Sequence, residues 1–132
     1  MVQCLHMAKY DKSTNAKTSF ANAFNGLFWA FHNQINFKRH LIALILVVIV
    51  GFLLQISHYE WLLVITVIYS VIVVELINTS LEQTTDAITQ EYHPKIKKAK
   101  DIAAAAVLAY AIYALTIGLL IFGPKILALI SS

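Results

Sequence analysis

The sequence predicts an all-α integral membrane protein: three transmembrane helices plus an N-terminal amphipathic interfacial helix, with the N-terminus cytoplasmic. Three observations carry this reading. Of 132 residues, 59% are hydrophobic and only 13% charged, far from the balance of an ordinary soluble domain. The apolar residues gather in three blocks of about 16 to 20 residues, long enough to cross a hydrocarbon core near 30 Å. The ten Lys and Arg avoid one connecting loop altogether, and that asymmetry sets topology. The length suits one domain, and there is no internal repeat or low-complexity run.

Residues 1–18 are polar, mixed in charge and without a signal-peptide apolar core, and are expected to form a flexible tail. The single Cys4 allows no intramolecular disulfide and no zinc site by itself. Residues 19–132 form one domain. Within it, Phe20, Phe24, Leu27, Phe28 and Phe31 share one helical face over 19–35, with Asn22, Asn25, Trp29, His32 and Asn33 opposite. Too polar to span, this helix is expected to lie in the cytoplasmic interface, a role compatible with packing on neighbouring helices.

The spans are expected at about 40–57, 61–78 and 99–122. The first apolar block is interrupted only by Gly51 and Gln55, the second by Thr66, Ser70 and Glu75, and the third has Thr116 and Gly118 but no charge. Five basic residues precede the first span (Lys9, Lys12, Lys17, Lys38, Arg39) and four separate the second from the third (Lys95, Lys97, Lys98, Lys100). The 55–60 loop has none, and only Lys125 follows. Positive loops stay inside, so the C-terminus is expected outside. The net charge of +3 points to anionic lipid head groups. No aromatic-interleaved basic patch points to nucleic acid. Helix formers carry the second span on to about residue 91, before Pro94. Ala106, Ala114 and Gly118 give the third span small residues at roughly helical spacing, which favour close helix packing and oligomerisation.

The polar residues at the end of the second span are the candidate site. Wound at about 100° per residue from Glu75, Asn78 falls near −60°, Thr79 near +40°, Glu82 near −20° and Asp86 near +20°. The stripe is roughly 100° wide and climbs about 16 Å. A carboxylate inside a bilayer edge is costly and is normally paired, hydrated or functional. Glu75 alone reads equally as a helix-end carboxylate reaching water and as a general base toward a lipid hydroxyl. Glu82 and Asp86, one and two turns further out, read as a solvated acidic face or as hard oxygen ligands for Mg²⁺. Lys100-Asp101, opening the third span, read as an anchor with a helix N-terminal acid or as a phosphate clamp. Four scattered glycines make no phosphate-cradling loop, and the five histidines form no convincing metal or triad spacing.

The run Glu75-Leu-Ile-Asn-Thr-Ser-Leu-Glu82 with Asp86, then Glu91-Tyr92-His93, then Ala99-Lys100-Asp101 and the Ala-rich segment, resembles the prokaryotic diacylglycerol kinase/undecaprenol kinase family. The resemblance covers about 20–125. Asn78-Thr79, His93-Pro94 and the segment 118–125 look more like the undecaprenol kinase branch. It implies a homotrimeric, ATP-dependent lipid kinase of the bacterial cell membrane (inner or plasma membrane). Its composite active sites would face the cytoplasm, and Mg²⁺ would accompany ATP. By motif match, Glu75 takes the catalytic-base position. Glu82 takes a metal and ATP-binding position, and Glu91, Tyr92, His93, Lys100 and Asp101 match nucleotide-binding positions. Asn78 and Asp86 match polar positions that shape the site. One departure stands out: where family members read Asn-Glu-Arg-Asn before the first span, with that Glu a second metal ligand, this chain reads Asn33-Gln34-Ile35-Asn36. An amide oxygen reaches Mg²⁺ but brings no charge, so weaker metal affinity or low activity is expected.

The expected activity is transfer of the γ-phosphoryl of MgATP to a membrane lipid alcohol, undecaprenol first. The competing readings are a diacylglycerol kinase, a small membrane transporter (expected to have four spans and a mid-bilayer carboxylate) and a non-catalytic scaffold kept alive by Gln34.

Overall fold

The computed structural model describes residues 16–131; Cys4 and most of the expected tail lie outside them. Four α-helices follow one another: α1 (Ala16–Asn33), α2 (Ile35–Leu53), α3 (His58–Ile88) and α4 (Pro94–Ile130). Three of them, α2, α3 and α4, are long and apolar enough to cross a membrane. At 1.5 Å per residue α3 is about 45 Å long and α4 about 54 Å, so both outreach a hydrocarbon core.

Helix α1 begins at Ala16 and ends at Asn33, not at 19 and 35, so residues 16–18 of the expected tail are helical. It stops because Gln34 adopts extended backbone (φ −105°, ψ 111°). Two side chains serve its last carbonyls: Asn33 donates to the Trp29 carbonyl and Lys38 Nζ to that of His32, each at 2.9 Å. Helix α2 therefore opens at Ile35, five residues before the expected span. It closes at Leu53, four before its expected end, in a left-handed C-terminal turn. There Gln55 (φ 49°) donates its N–H to the Phe52 carbonyl, and Ile56 donates to that of Gly51, both at 3.2 Å. Glycine usually takes that left-handed position. At Gly51 the chains approach closely, since a Cβ there would stand 2.8 Å from the Trp61 ring.

Ser57 caps α3 with a reciprocal box: the Ser57 N–H donates to Glu60 Oε2 at 2.6 Å, and the Glu60 N–H to Ser57 Oγ at 3.4 Å. This starts α3 at His58 rather than 61. Along its apolar length, Thr66 and Ser70 return their hydroxyls to carbonyls one turn back, at 2.8 Å, so neither faces lipid unsatisfied. The helix ends at Ile88, short of 91. Thr89 is extended and its Oγ1 accepts the Glu91 N–H at 3.0 Å, a local turn that competes with helix. Pro94 occupies the first turn of α4, where its missing N–H costs nothing and its fixed φ suits a helix. The third span's helix thus begins at 94 rather than 99. It also runs past 122, through Gly123-Pro124, to Ile130; a proline inside the helix forgoes one backbone bond, a loss membrane helices tolerate.

Loops of four and five residues make α3 the antiparallel neighbour of both α2 and α4. The core is a seam of Ile56, Val64 and Ile121, flanked by Val47, Trp61, Ile117 and Phe122. A third of the α3 span is buried within the chain (33%), against 11% for α2 and 6% for α4. Helix α3 is therefore the central element, and α4 presents most of its apolar surface outward.

Candidate active site

The polar stripe lies on the most buried helix, and burial falls along it. Glu75 is 3% exposed, Thr79 5% and Asn78 7%; Glu82 is half-buried and Asp86 exposed. Winding α3 puts Asn78 and Glu82 one turn apart, and Asn78 Nδ2 donates to Glu82 Oε1 at 3.3 Å. This leaves Asn78 Oδ1 as a buried oxygen with no donor. Thr85 on the next turn bonds the Leu81 and Glu82 carbonyls at 2.9 Å, and Thr79 helps line a groove between α3 and the Trp29-Ala30 face of α1.

The neighbouring helices add charge. From α2, His40 Nε2 comes within 3.9 Å of Glu75 Oε2. From α4, Lys100 Nζ donates to Asp86 Oδ1 at 2.5 Å, tying the outer end of the stripe to the start of α4. One turn earlier, Lys97 pairs with Asp101 at 2.6 Å on an exposed face. Both lysine pairs are open to solvent, so each stabilises the fold by little, roughly 0–1 kcal/mol.

Glu75, Asn78, Glu82, Asp86 and Lys100 are thus joined through α3 and its contacts with α4. Glu91, Tyr92 and His93 lie exposed around the α3–α4 loop, with Tyr92 79% exposed, and Asp101 faces Lys97. Gln34 caps α2 without a side-chain capping bond. It precedes His40 by six residues, and Glu82 follows Glu75 by seven, on antiparallel helices. These steps rise about 9 and 10 Å the same way, which sets Gln34 at the level of Glu82.

Sequence reasoning missed His40, set aside as one of five scattered histidines. Its place early in α2 is legible, but its approach to Glu75 depends on how α2 packs against α3.

Among the described residues no three His, Cys, Asp or Glu side chains gather into a metal site. The donor set nevertheless suits Mg²⁺. Glu82 is a half-buried carboxylate on the stripe, and the same Asn78 amide that donates to it has its oxygen without a donor. Mg²⁺ characteristically takes one or two carboxylates, with phosphates supplying other ligands.

Fold and site define a helical membrane protein that keeps a buried carboxylate at one end of its central span. The family model for prokaryotic diacylglycerol kinase matches residues 21–122. An undecaprenol kinase of Bacillus subtilis is 42% identical over 108 residues, covering 82% of this chain and 88% of that protein. A diacylglycerol kinase of Synechocystis is 35% identical over 116 residues, 87% of this chain and 66% of the relative. One from Helicobacter pylori is 33% identical over 130 residues, 93% and 98%. The chain belongs to the prokaryotic diacylglycerol kinase family, and it is a membrane lipid kinase. A small transporter would need four spans, and the described residues hold three.

Proposed function

We propose that this kinase transfers the γ-phosphoryl of ATP to the hydroxyl of a membrane lipid alcohol at the cytoplasmic interface, with undecaprenol as its preferred acceptor. One observation carries the chemistry: Glu75, 3% exposed at the end of a membrane-length apolar run, sits on the same helical stripe as Glu82. A buried carboxylate there has no packing rationale and is poised to take a proton from an alcohol whose hydrocarbon stays in lipid. The acceptor preference rests on the 42% identity to an undecaprenol kinase, against 35% and 33% to diacylglycerol kinases.

Glu75 is the general base. Glu82 would hold Mg²⁺, with the Gln34 amide at the same level as a second ligand and Asn78 shaping the site through its bond to Glu82. When bound there, Mg²⁺ would neutralise phosphate charge and help to orient the nucleotide. Lys100 exchanges its contact with Asp86 for a phosphate oxygen, and Glu91, Tyr92, His93 and Asp101 hold the rest of the nucleotide from the α3–α4 loop and the first turns of α4. No Gly-rich loop is available for that work.

The charge bias of the loops supports a cytoplasmic N-terminus, and the site's end of α3 then faces the cytoplasm of a bacterial cell membrane. The exposed phenylalanines of α1, Phe20 at 70%, Phe24 at 69% and Phe28 at 67%, support an interfacial position. The open apolar flanks of α4 support oligomerisation, and the homotrimer with composite sites is what the family resemblance implies.

Transfer of label from γ-labelled ATP to a panel of lipid alcohols tests the reading, with Glu75→Gln as control. Undecaprenol is expected to be the best acceptor and the Glu75→Gln protein inactive. Faster turnover on diacylglycerol overturns the acceptor, and an active Glu75→Gln protein overturns the base.

A further inference from the structure

Among the described residues the most buried carboxylate, Glu75, faces an imidazole across a helix–helix boundary, and the catalytic proposal above leaves that imidazole without a task. His40 Nε2 and Glu75 Oε2 are 3.9 Å apart, with His40 28% and Glu75 4% exposed at the side chain. The gap is too long for a hydrogen bond and too short to hold a separate layer of solvent. It is the right width for one bridging oxygen. An oxygen placed about 2.8 Å from each atom sits at the apex of a triangle with a nearly right-angled opening, within the ordinary range for a hydroxyl that accepts one bond and donates another.

A second observation says what brings that oxygen. His40 closes one end of a groove of about 460 Å³ between α2, α3 and α4. The groove follows α2 from His40 through Ala43 and Leu44 to Val47, about 10 Å of helix, and Val71 and Ala114 line its other walls. Among the described residues lining it, His40 carries the one polar side chain. Hydrocarbon suits the groove, and a hydroxyl suits its His40 end, where Glu75, just outside the groove's lining, stands 3.9 Å from the imidazole. A lipid alcohol has both in one molecule.

We propose that His40 and Glu75 form a two-point seat for the acceptor hydroxyl, His40 donating from Nε2 to the oxygen while Glu75 Oε2 accepts its hydrogen. In the transfer, the O–H bond breaks as Glu75 takes the proton. The oxygen's free pair forms the new bond to the γ-phosphorus, and the bond from that phosphorus to the bridging oxygen breaks, its electrons leaving with ADP. His40 neither gains nor loses a proton; it holds the second lone pair so that the first points at phosphorus. Orientation of this kind acts on acceptor use and leaves nucleotide binding alone.

This rests on Glu75 as base, and the experiment separates the two. His40→Leu and His40→Met keep apolar bulk without a donor, and one of the two suffices if the other folds poorly. His40→Gln returns an amide N–H at about the reach of Nε2. Each is titrated with undecaprenol at saturating MgATP and with MgATP at saturating undecaprenol, alongside thermal unfolding in the same detergent. The Leu or Met variant is expected to lose on the order of 10- to 100-fold in kcat/KM for undecaprenol, with KM for MgATP within about twofold of wild type. Gln should recover most of that loss. In a Glu75→Asp background, whose shortened carboxylate has left the seat, the cost of His40→Leu should shrink. Unchanged kcat/KM for undecaprenol, a matching loss on the nucleotide side, Gln no better than Leu, or an undiminished cost in the Glu75→Asp background each overturns the seat while the kinase reading stands. A wild-type protein that transfers no phosphate overturns both.

Discussion

Glu60 and Glu75 sit on the same helix, fifteen residues and about 22 Å apart, one at each end of the apolar run of α3. Their surroundings differ in kind. Glu60 closes the capping box of its own helix and meets Lys125 of α4 at 3.3 Å, so its Oε2 takes both the Ser57 N–H and the Lys125 ammonium and the helix start is served. Glu75 is more deeply buried, yet the side chain that faces it from α2 is an imidazole beyond hydrogen-bond reach. A carboxylate tied to its own helix cap and to a lysine is part of the fold. One kept buried with spare capacity is held for something that arrives later. The same helix thus has a structural acid at one end and a reactive acid at the other.

The sharpest way to break this contrast is to neutralise each acid in turn. Glu75→Gln should cut phosphate transfer by on the order of 10²- to 10⁴-fold with helical content and melting temperature near wild type. Glu60→Gln should leave turnover within about twofold and lower the melting temperature instead. A large activity loss from Glu60→Gln, read in the same lipid-kinase assay, would erase the distinction.

A smaller effect is expected further along the reactive end. Lys100→Ala should raise KM for MgATP roughly tenfold, about 1.4 kcal/mol. The melting temperature should barely move, because the Asp86–Lys100 pair is solvent-exposed. If melting falls and KM holds, the pair is structural, like Glu60 and Lys125.

Gln34→Glu adds the charge the site lacks at the level of Glu82. Half-maximal activity should then come at several-fold lower Mg²⁺, roughly three- to tenfold; an unchanged Mg²⁺ titration removes Gln34 from the metal site. The smallest effect belongs to the structural end. Gln55→Gly relieves a left-handed residue in the α2–α3 turn and should stabilise the protein by about 0.5–1 kcal/mol without altering turnover.

Much of this was legible from residues alone. Three apolar blocks declared three long helices because spanning segments need length and composition before they need partners. The Glu75 stripe followed from helical periodicity, which is local. The helix ends were harder, since they turn on a few local bonds: the Gln55 turn, the Ser57 box and the Thr89 turn moved boundaries by three or four residues from where composition placed them. The third span was expected to end at 122, but α4 continues through Gly123-Pro124, and the next residue, Lys125, reaches Glu60.

By itself, then, the sequence determined the helical membrane class, the central polar stripe and its likeness to lipid kinases. These depend on hydropathy, on a 3.6-residue period and on motif spacing along one helix. Only the tertiary structure decided that α3 is the buried helix, that Lys100 pairs with Asp86, and that His40 faces Glu75. Those facts depend on the rotation and height at which separate helices meet, and no periodicity within one helix encodes how its neighbour is turned.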